Sequence, residues 1–299
     1  VQSGGNVPDI RETSEPETSE RASAGATSPH LDEDERQQAA DHAAPRALVI
    51  HEVVRAEGEE ELNRSAAAVG FSGFAAGLSL GFSFLSLAFL RSALPDAPWR
   101  PLVTGFGYTV GFLLVVLARQ ELFTESTLTA VLPLLVRRDR RTLLALLRFW
   151  AVVLAGNLAG TFVFAALISL PDVFPAPVTQ ALVDVGAEAV AGAFWPTVFK
   201  SLLAGWLIAL MVWMLPAARS ARILVIIILT YVVSIGHLSH IIAGSVEAAF
   251  YWFFGHGSIG DYVLRFLIPT LLGNTLGGVA LVALLNHAPL APELQAERG

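Results

Sequence analysis

In GHLSHIIAGSVEAAF, residues 236–250, two histidines, two glycines, two serines and a glutamate interrupt an otherwise apolar run. An imidazole in a narrow apolar passage can offer an N–H to a passing anion, or take up charge and hand on a proton, with an ordinary pKa of about 6.5. His240, with Ser239 beside it, is therefore the first candidate for chemistry, and His237 reads as structural. A second interruption, RQELFTES at 119–126, carries Arg119, Glu121, Thr124 and Glu125. An unpaired charge in lipid costs about 2.5–3.5 kcal/mol, so these groups and Glu247 must pair or face water. Arg119 with Glu121 or Glu125 is expected to hold the first interruption in shape. Lys200, the single lysine of the chain, is placed to draw anions to an outer mouth, and snorkelling to the interface explains it equally well. Asn157 and Asn274 each stand beside glycines that permit close helix approach. Each amide is expected to bond the interrupted segment of the opposite half, because an amide satisfies unpaired backbone well.

The elements that must position these residues are membrane spans. Hydrophobic residues make up 54% of the 299, too many for one water-soluble domain of this length. Six apolar blocks, 70–90, 102–135, 143–170, 190–215, 223–254 and 262–285, each reach or exceed the roughly 20 residues of a bilayer-spanning helix. Blocks two and five are too long for one straight helix, and each contains one of the two polar interruptions. Broken backbone survives in the hydrocarbon core only where protein surrounds it or water reaches it, which puts both breaks beside a permeation path.

The chain also repeats. GNLAGT at 156–161 matches GNTLGG at 273–278 at an offset of 117, and the same offset carries 122–126 onto 239–243. Phe74, Ala76, Gly77 and Leu80 match Leu202, Ala204, Gly205 and Ile208 at an offset of 128. Three spans per repeat place the halves in opposite orientations. The fold class expected is thus an all-α membrane protein of six transmembrane helices in two inverted three-helix repeats, with the second and fifth helices broken.

Outside the spans, residues 1–64 hold 15 acidic side chains against 6 arginines. Residues 1–45 carry almost no large apolar side chains and are expected to form a disordered acidic tail. Residues 46–67 pattern as an amphipathic cytoplasmic helix. The transporter domain follows at 68–287 and a short cytoplasmic tail at 288–299. His51 and Glu52 begin a zinc-like HExxH, but its fifth position is Arg55, and no metal or other cofactor is expected. The loops at 136–141 and 216–222 hold six arginines, which places them and both termini in the cytoplasm of an inner, plasma-type membrane. The basic residues are scattered and form no face for nucleic acid. No constellation of catalytic groups is present, so an enzyme is not expected.

ARQELFTESTLTAVLP (118–133), GNLAGT, LLAGWLIALMVWMLPAA (202–218), SHIIAGSVE (239–247) and IPTLLGNTLGG (268–278) together resemble the formate/nitrite transporter family. The resemblance covers about 46–287 and is nearest to the YfdC-like branch, which shares the IHEVVRAEGEEEL helix and an acidic tail. It implies a homopentamer of aquaporin-like protomers in the lipid bilayer. Each protomer would pass small monovalent anions, or their weak acids, between two apolar constrictions flanking a central histidine. The matching positions are His240 for the histidine, Thr124 for the gating loop, and Phe123, Leu78 and Ile235 for the constrictions. The chain departs from the formate channels at Gly205 and Gly244, where they carry Asn, and at Ala189, where they carry a basic residue. Two other functions stay open: a channel for a neutral solute, and a membrane scaffold acting through the acidic tail.

Overall fold

The computed structural model describes residues 28–42 and 45–296 and divides the chain into two units, Val1–Arg46 and Ala47–Gly299. In the first unit, α1 (Glu33–His42) stands where a disordered tail was expected. Local capping accounts for the difference. The Glu35 N–H donates to Asp32 Oδ1 at 2.8 Å and the Asp32 N–H to Glu35 Oε2 at 3.0 Å, while Glu33, Asp34 and Glu35 set three carboxylates on the positive end of the helix dipole. Residues 1–27 of that expected tail lie outside the described residues.

Among the described residues of the second unit the regular elements are all helices: α2 (Ala47–Asn63), α3 (Ala66–Ala93), α4 (Arg100–Leu117), α5 (Phe123–Thr129), α6 (Val131–Arg137), α7 (Arg140–Ile168), α8 (Ala176–Val190), α9 (Phe194–Met214), α10 (Arg222–Ile235), α11 (Ala243–Phe253), α12 (Ile259–Leu290) and α13 (Ala291–Ala296). Five of these, α3, α4, α7, α9 and α12, are long and apolar enough to cross a membrane. The fifth apolar block of the sequence is divided: α10 stops after 14 residues and the chain resumes helically at α11. The second block is divided in the same way between α4 and α5. Within α12, the stretches Tyr262–Leu267 and Gly277–Leu284 widen into π-helical turns.

Local chemistry sets several starts. Ser65 caps α3 by accepting from the Ala68 N–H, Asp139 caps α7 through the Thr142 N–H at 2.9 Å, and Ser258 with Asp261 forms a reciprocal box at the start of α12. Packing along the spans depends on absent side chains. A Cβ at Gly77 of α3 would stand 2.1 Å from the Asn157 carbonyl oxygen of α7, and one at Gly205 of α9 would stand 2.3 Å from the Asn274 carbonyl oxygen of α12. The two glycines therefore bring backbones together directly at the levels of the two asparagines.

That contact explains one departure from the formate channels. Position 205 has no room for any side chain against α12, so Gly205→Asn is expected to cost at least about 2–3 kcal/mol of overpacking. The loss should appear as a lower apparent melting temperature of the purified protein in detergent.

The amphipathic helix α2 lies against this unit through its buried residues His51, Val54, Gly58 and Leu62. His51 Nε2 and His287 Nδ1 are 3.0 Å apart, Trp213 packs edge-on to the His51 ring at 6.3 Å, and His51 Nδ1 is 3.0 Å from Glu52. Burial pushes the His51 imidazole below its ordinary value, against the raising effect of the Glu52 carboxylate, and Arg55 adds to the lowering. A histidine lowered in the fold contributes stability that is complete above its ordinary pKa and is lost as the pH falls through the range below it. Amide protection over the first turns of α2 is therefore expected to weaken between about pH 7 and 5. Hydrogen exchange by mass spectrometry should find that dependence in the wild type and not in His51→Gln.

Candidate functional site

The two breaks are built alike, residue for residue. After α4, Arg119 takes the left-handed conformation at φ 52°, and the Gln120 N–H returns to the Val115 carbonyl at 3.0 Å. After α10, His237 does the same at φ 46°, and the Leu238 N–H returns to the Val233 carbonyl at 3.0 Å. These are left-handed helix caps that end each half-helix sharply, with the cost of a non-glycine αL residue at both. His237 is thus a cap, as its structural reading anticipated.

Beyond each cap the extended backbone is taken up by an asparagine. Asn157 Oδ1 accepts from the Phe123 N–H at 2.9 Å, and its Nδ2 donates to the Glu121 and Gly73 carbonyls, both at 2.8 Å. Asn274 Oδ1 accepts from the Ile241 N–H at 2.8 Å, and its Nδ2 donates to the Ser239 carbonyl at 3.0 Å and the Ser201 carbonyl at 2.7 Å. Both amides are fully buried. The expectation that each would reach the opposite half is corrected here: each ties down the break of its own half, because its own third helix lies directly against that break.

The paired charges are also rearranged. Arg119 reaches Glu57 on α2 at 3.4 Å, and Glu121 pairs with Arg64, so neither expected pairing within the first break forms. The left-handed turn at Arg119 directs its side chain out to α2, and Glu121 contributes to the break through its backbone. Its N–H donates to Ser72 Oγ at 3.0 Å. Glu125 and Glu247, expected to pair or face water and so to support the breaks, line two separate cavities.

One cavity, about 250 Å³, opens beside α2 and is lined by Val116, Leu122, Glu125 and Val212 among others. The other, about 220 Å³, lies toward the start of α4 and is lined by Tyr108, Glu247, Phe266 and His240. The 18 residues of α4 span about 27 Å between these two levels. His240, in the lining of the second cavity, is joined through Nε2 to Thr124 Oγ1 at 2.8 Å, and Thr124 is followed in the chain by Glu125 of the first cavity. Both residues are buried, and Phe112 stands edge-on to the imidazole at 5.0 Å.

The tautomer follows from the second ring nitrogen. The Ala243 N–H donates to His240 Nδ1 at 3.2 Å, so Nδ1 carries no proton, and Nε2–H must donate to Thr124.

Several candidates fall elsewhere. Leu78 packs against the cluster that includes Phe84 and Phe164, and Ile235 lies beside Gly105, so neither lines either of these two cavities. Phe123 is buried edge-on to Trp150 at 5.8 Å, and it is its neighbour Leu122 that faces the α2-side cavity. Helical register explains all three, since each side chain turns toward a neighbouring helix. Lys200 is exposed on the outward face of α9 beside Phe199 and Leu203, and the cations in the second cavity are Arg91 and Arg100. Arg91 is held there by Glu188 at 2.8 Å. Sequence reading missed Leu122, because the structure matches the two breaks at an offset of 118, one more than the 117 of the GN motifs, and so sets Leu122-Phe123 against His240-Ile241 rather than Ser239-His240. At Gly244, where an asparagine is absent, a Cβ would stand 2.6 Å from the Phe266 ring, which fills that space.

Comparison with known proteins agrees with this geometry. The family described as formate/nitrite transporter matches residues 48–288. Inner membrane protein YfdC of Escherichia coli strain K12 is 39% identical over 258 residues, covering 86% of this chain and 83% of that protein. A solved structure described as an FNT family ion channel is similar at a TM-score of 0.72 and 25% identity, over 81% of this chain and 99% of that one. A pentameric formate channel with formate bound has a similar fold at a TM-score of 0.65 and 22% identity, over 76% and 98% of the two chains.

Proposed function

The chain belongs to the formate/nitrite transporter family, and we propose that it carries a small monovalent anion, or its weak acid, across a bacterial-type inner membrane past His240. The observation that carries this reading is the buried Thr124–His240 hydrogen bond, with His240 lining the cavity toward the start of α4 and Leu122 and Glu125, which flank Phe123 and Thr124, lining the cavity toward its end.

The neutral ring donates through Nε2 to Thr124, and the threonine keeps its own O–H to offer to an oxyanion. Moving a bare carboxylate-sized anion into a medium of low dielectric costs on the order of 20 kcal/mol in the idealised Born limit, and neutralisation removes most of it. A hydrogen-bond donor fixed at the narrowest level lowers the remaining cost for the anion or its acid. Ser239 stands at the mouth of the same passage, where it lines the cavity beside His240.

The architecture in this reading is six crossings in two inverted halves. The matched caps and matched asparagine contacts support it, with α10 and α11 together making the fifth crossing. The arginines at 137–141 and 219–222 favour a cytoplasmic α2 side and cytoplasmic termini. The pentameric formate channel of similar fold supports a homopentamer and a cargo of the formate type.

Flux into proteoliposomes containing a pH dye tests the reading. Formate, nitrite, hydrosulfide, chloride and fluoride would be supplied at two pH values, with urea as the neutral control. A signal for one or more anions, steeper at low pH, is expected. Urea flux alone, or silence across the panel in correctly folded protein, would overturn it.

A further inference from the structure

Four buried side-chain polar atoms lack a hydrogen-bond partner among the described residues, and three of them, Gln120 Oε1, Glu125 Oε1 and Arg222 Nε, belong to residues lining the α2-side cavity. Buried polar groups are rarely left unpaired, because each orphan costs about 1–3 kcal/mol. A charged donor and two acceptors left open on one cavity mark a place for a small molecule that both accepts and donates.

The surrounding charges narrow its chemistry. Arg64 is taken by Glu121 and Arg119 by Glu57, so Arg222 is the cation whose Nε remains open. Glu60 and Glu61 complete the acidic lining. Glu61 also accepts from Thr129 Oγ1 at 2.6 Å, and burial, reinforced by the Glu121 carboxylate, holds it well above the usual carboxylate range. Among the described residues no group of three or more carboxylates and histidines is arranged to hold a metal ion. A cavity that retains protons on carboxyl groups beside one open guanidinium matches a monovalent oxyanion of a weak acid.

We propose that this cavity is a loading site for such an anion, which docks on Arg222 and receives a proton from Glu125 before passing Leu122. The proton leaves the Glu125 carboxyl as its O–H bond breaks and a new O–H bond forms on the anion. The products are the neutral acid and a Glu125 carboxylate, which takes up one proton from the bulk solution through water in the open cavity, so that one proton enters for each anion loaded. The step complements His240, whose single ring proton is already given to Thr124. It rests on the anion-conduction reading above.

The test uses the full chain in proteoliposomes of uniform orientation, with formate and nitrite as probes. Arg222→Gln is expected to raise the half-saturating concentration at the α2 face about tenfold or more, the loss of one hydrogen bond to a charged group, with Arg222→Lys recovering part of it. Glu125→Gln is expected to flatten the dependence of flux on pH at the α2 face and to leave the dependence at the opposite face. Wild-type half-saturation and pH profiles in both variants would overturn the loading site while leaving conduction intact. If the wild type moves neither anion, conduction itself fails. Saturation transfer from the purified protein to formate then decides the site: a signal lost in Arg222→Gln supports it, and a signal unchanged in that variant overturns it.

Discussion

His240→Phe is expected to reduce anion flux to that of protein-free liposomes while leaving the folded, membrane-inserted protein intact. Phenylalanine fills the imidazole's place against Phe112 and can donate nothing to Thr124. The exchange therefore removes the donor to Thr124 and little of the packing. Loss of a fixed donor of this type costs about 3–4 kcal/mol in the best-measured enzymes, a few hundred-fold in rate. Thr124→Val should fall in the same direction, because valine keeps the shape and removes the hydroxyl. Thr124→Ser should recover most of the flux, since it retains the O–H. Flux by His240→Phe within twofold of wild type would separate the histidine from conduction. The same result in Thr124→Val alone would leave the histidine acting without its partner.

The second large effect is on the fold. Asn157→Ala removes the acceptor of the Phe123 N–H and the donors to the Glu121 and Gly73 carbonyls at once. The two break groups have no neighbouring helix bond to fall back on, and no bulk water is present at this depth. At about 1–3 kcal/mol for each orphan, the loss should total about 3–5 kcal/mol. The apparent melting temperature in detergent should fall by roughly 10 °C or more. Asn274→Ala should match it closely, because its three contacts repeat those of Asn157 in the second half. A melting temperature within 2 °C of wild type in either variant would show that water or rearranged backbone satisfies the break.

These two effects separate what each residue contributes. The asparagines bond the backbone of the two breaks, and in the proposed function the histidine uses the position so created. Transport loss in Asn157→Ala should therefore accompany loss of folded protein, whereas in His240→Phe it should not.

Much of this was legible in the sequence because lipid leaves few solutions. An apolar block long enough to cross must be helical, a polar interruption within it must be sheltered, and the repeated GN pairs disclosed that two interruptions share one architecture. The importance of Asn157, Asn274 and His240 follows from residue type and register alone. The helix at Glu33–His42 shows the limit of composition, since a capping box overrode a tail-like content of charge.

Only the tertiary structure decided which partner each side chain meets. Periodicity fixes the angle of a residue around its own helix and says nothing of which neighbour occupies that angle. Leu78, Ile235 and Lys200 accordingly turned away from the cavities, and Arg91 arrived from α3. Arg119 and Glu121 are two residues apart, yet a left-handed turn sends one to Glu57 and leaves the other with Arg64. Gly205 reads as a missing donor in sequence and as a required gap in space, because the Asn274 backbone lies where a side chain would stand. The sequence by itself determined the family and the apolar helices, and it marked the residues proposed to matter. Packing of helices far apart in the chain decided what those residues touch, since contact distances depend on how backbones approach and not on spacing along one strand of chain.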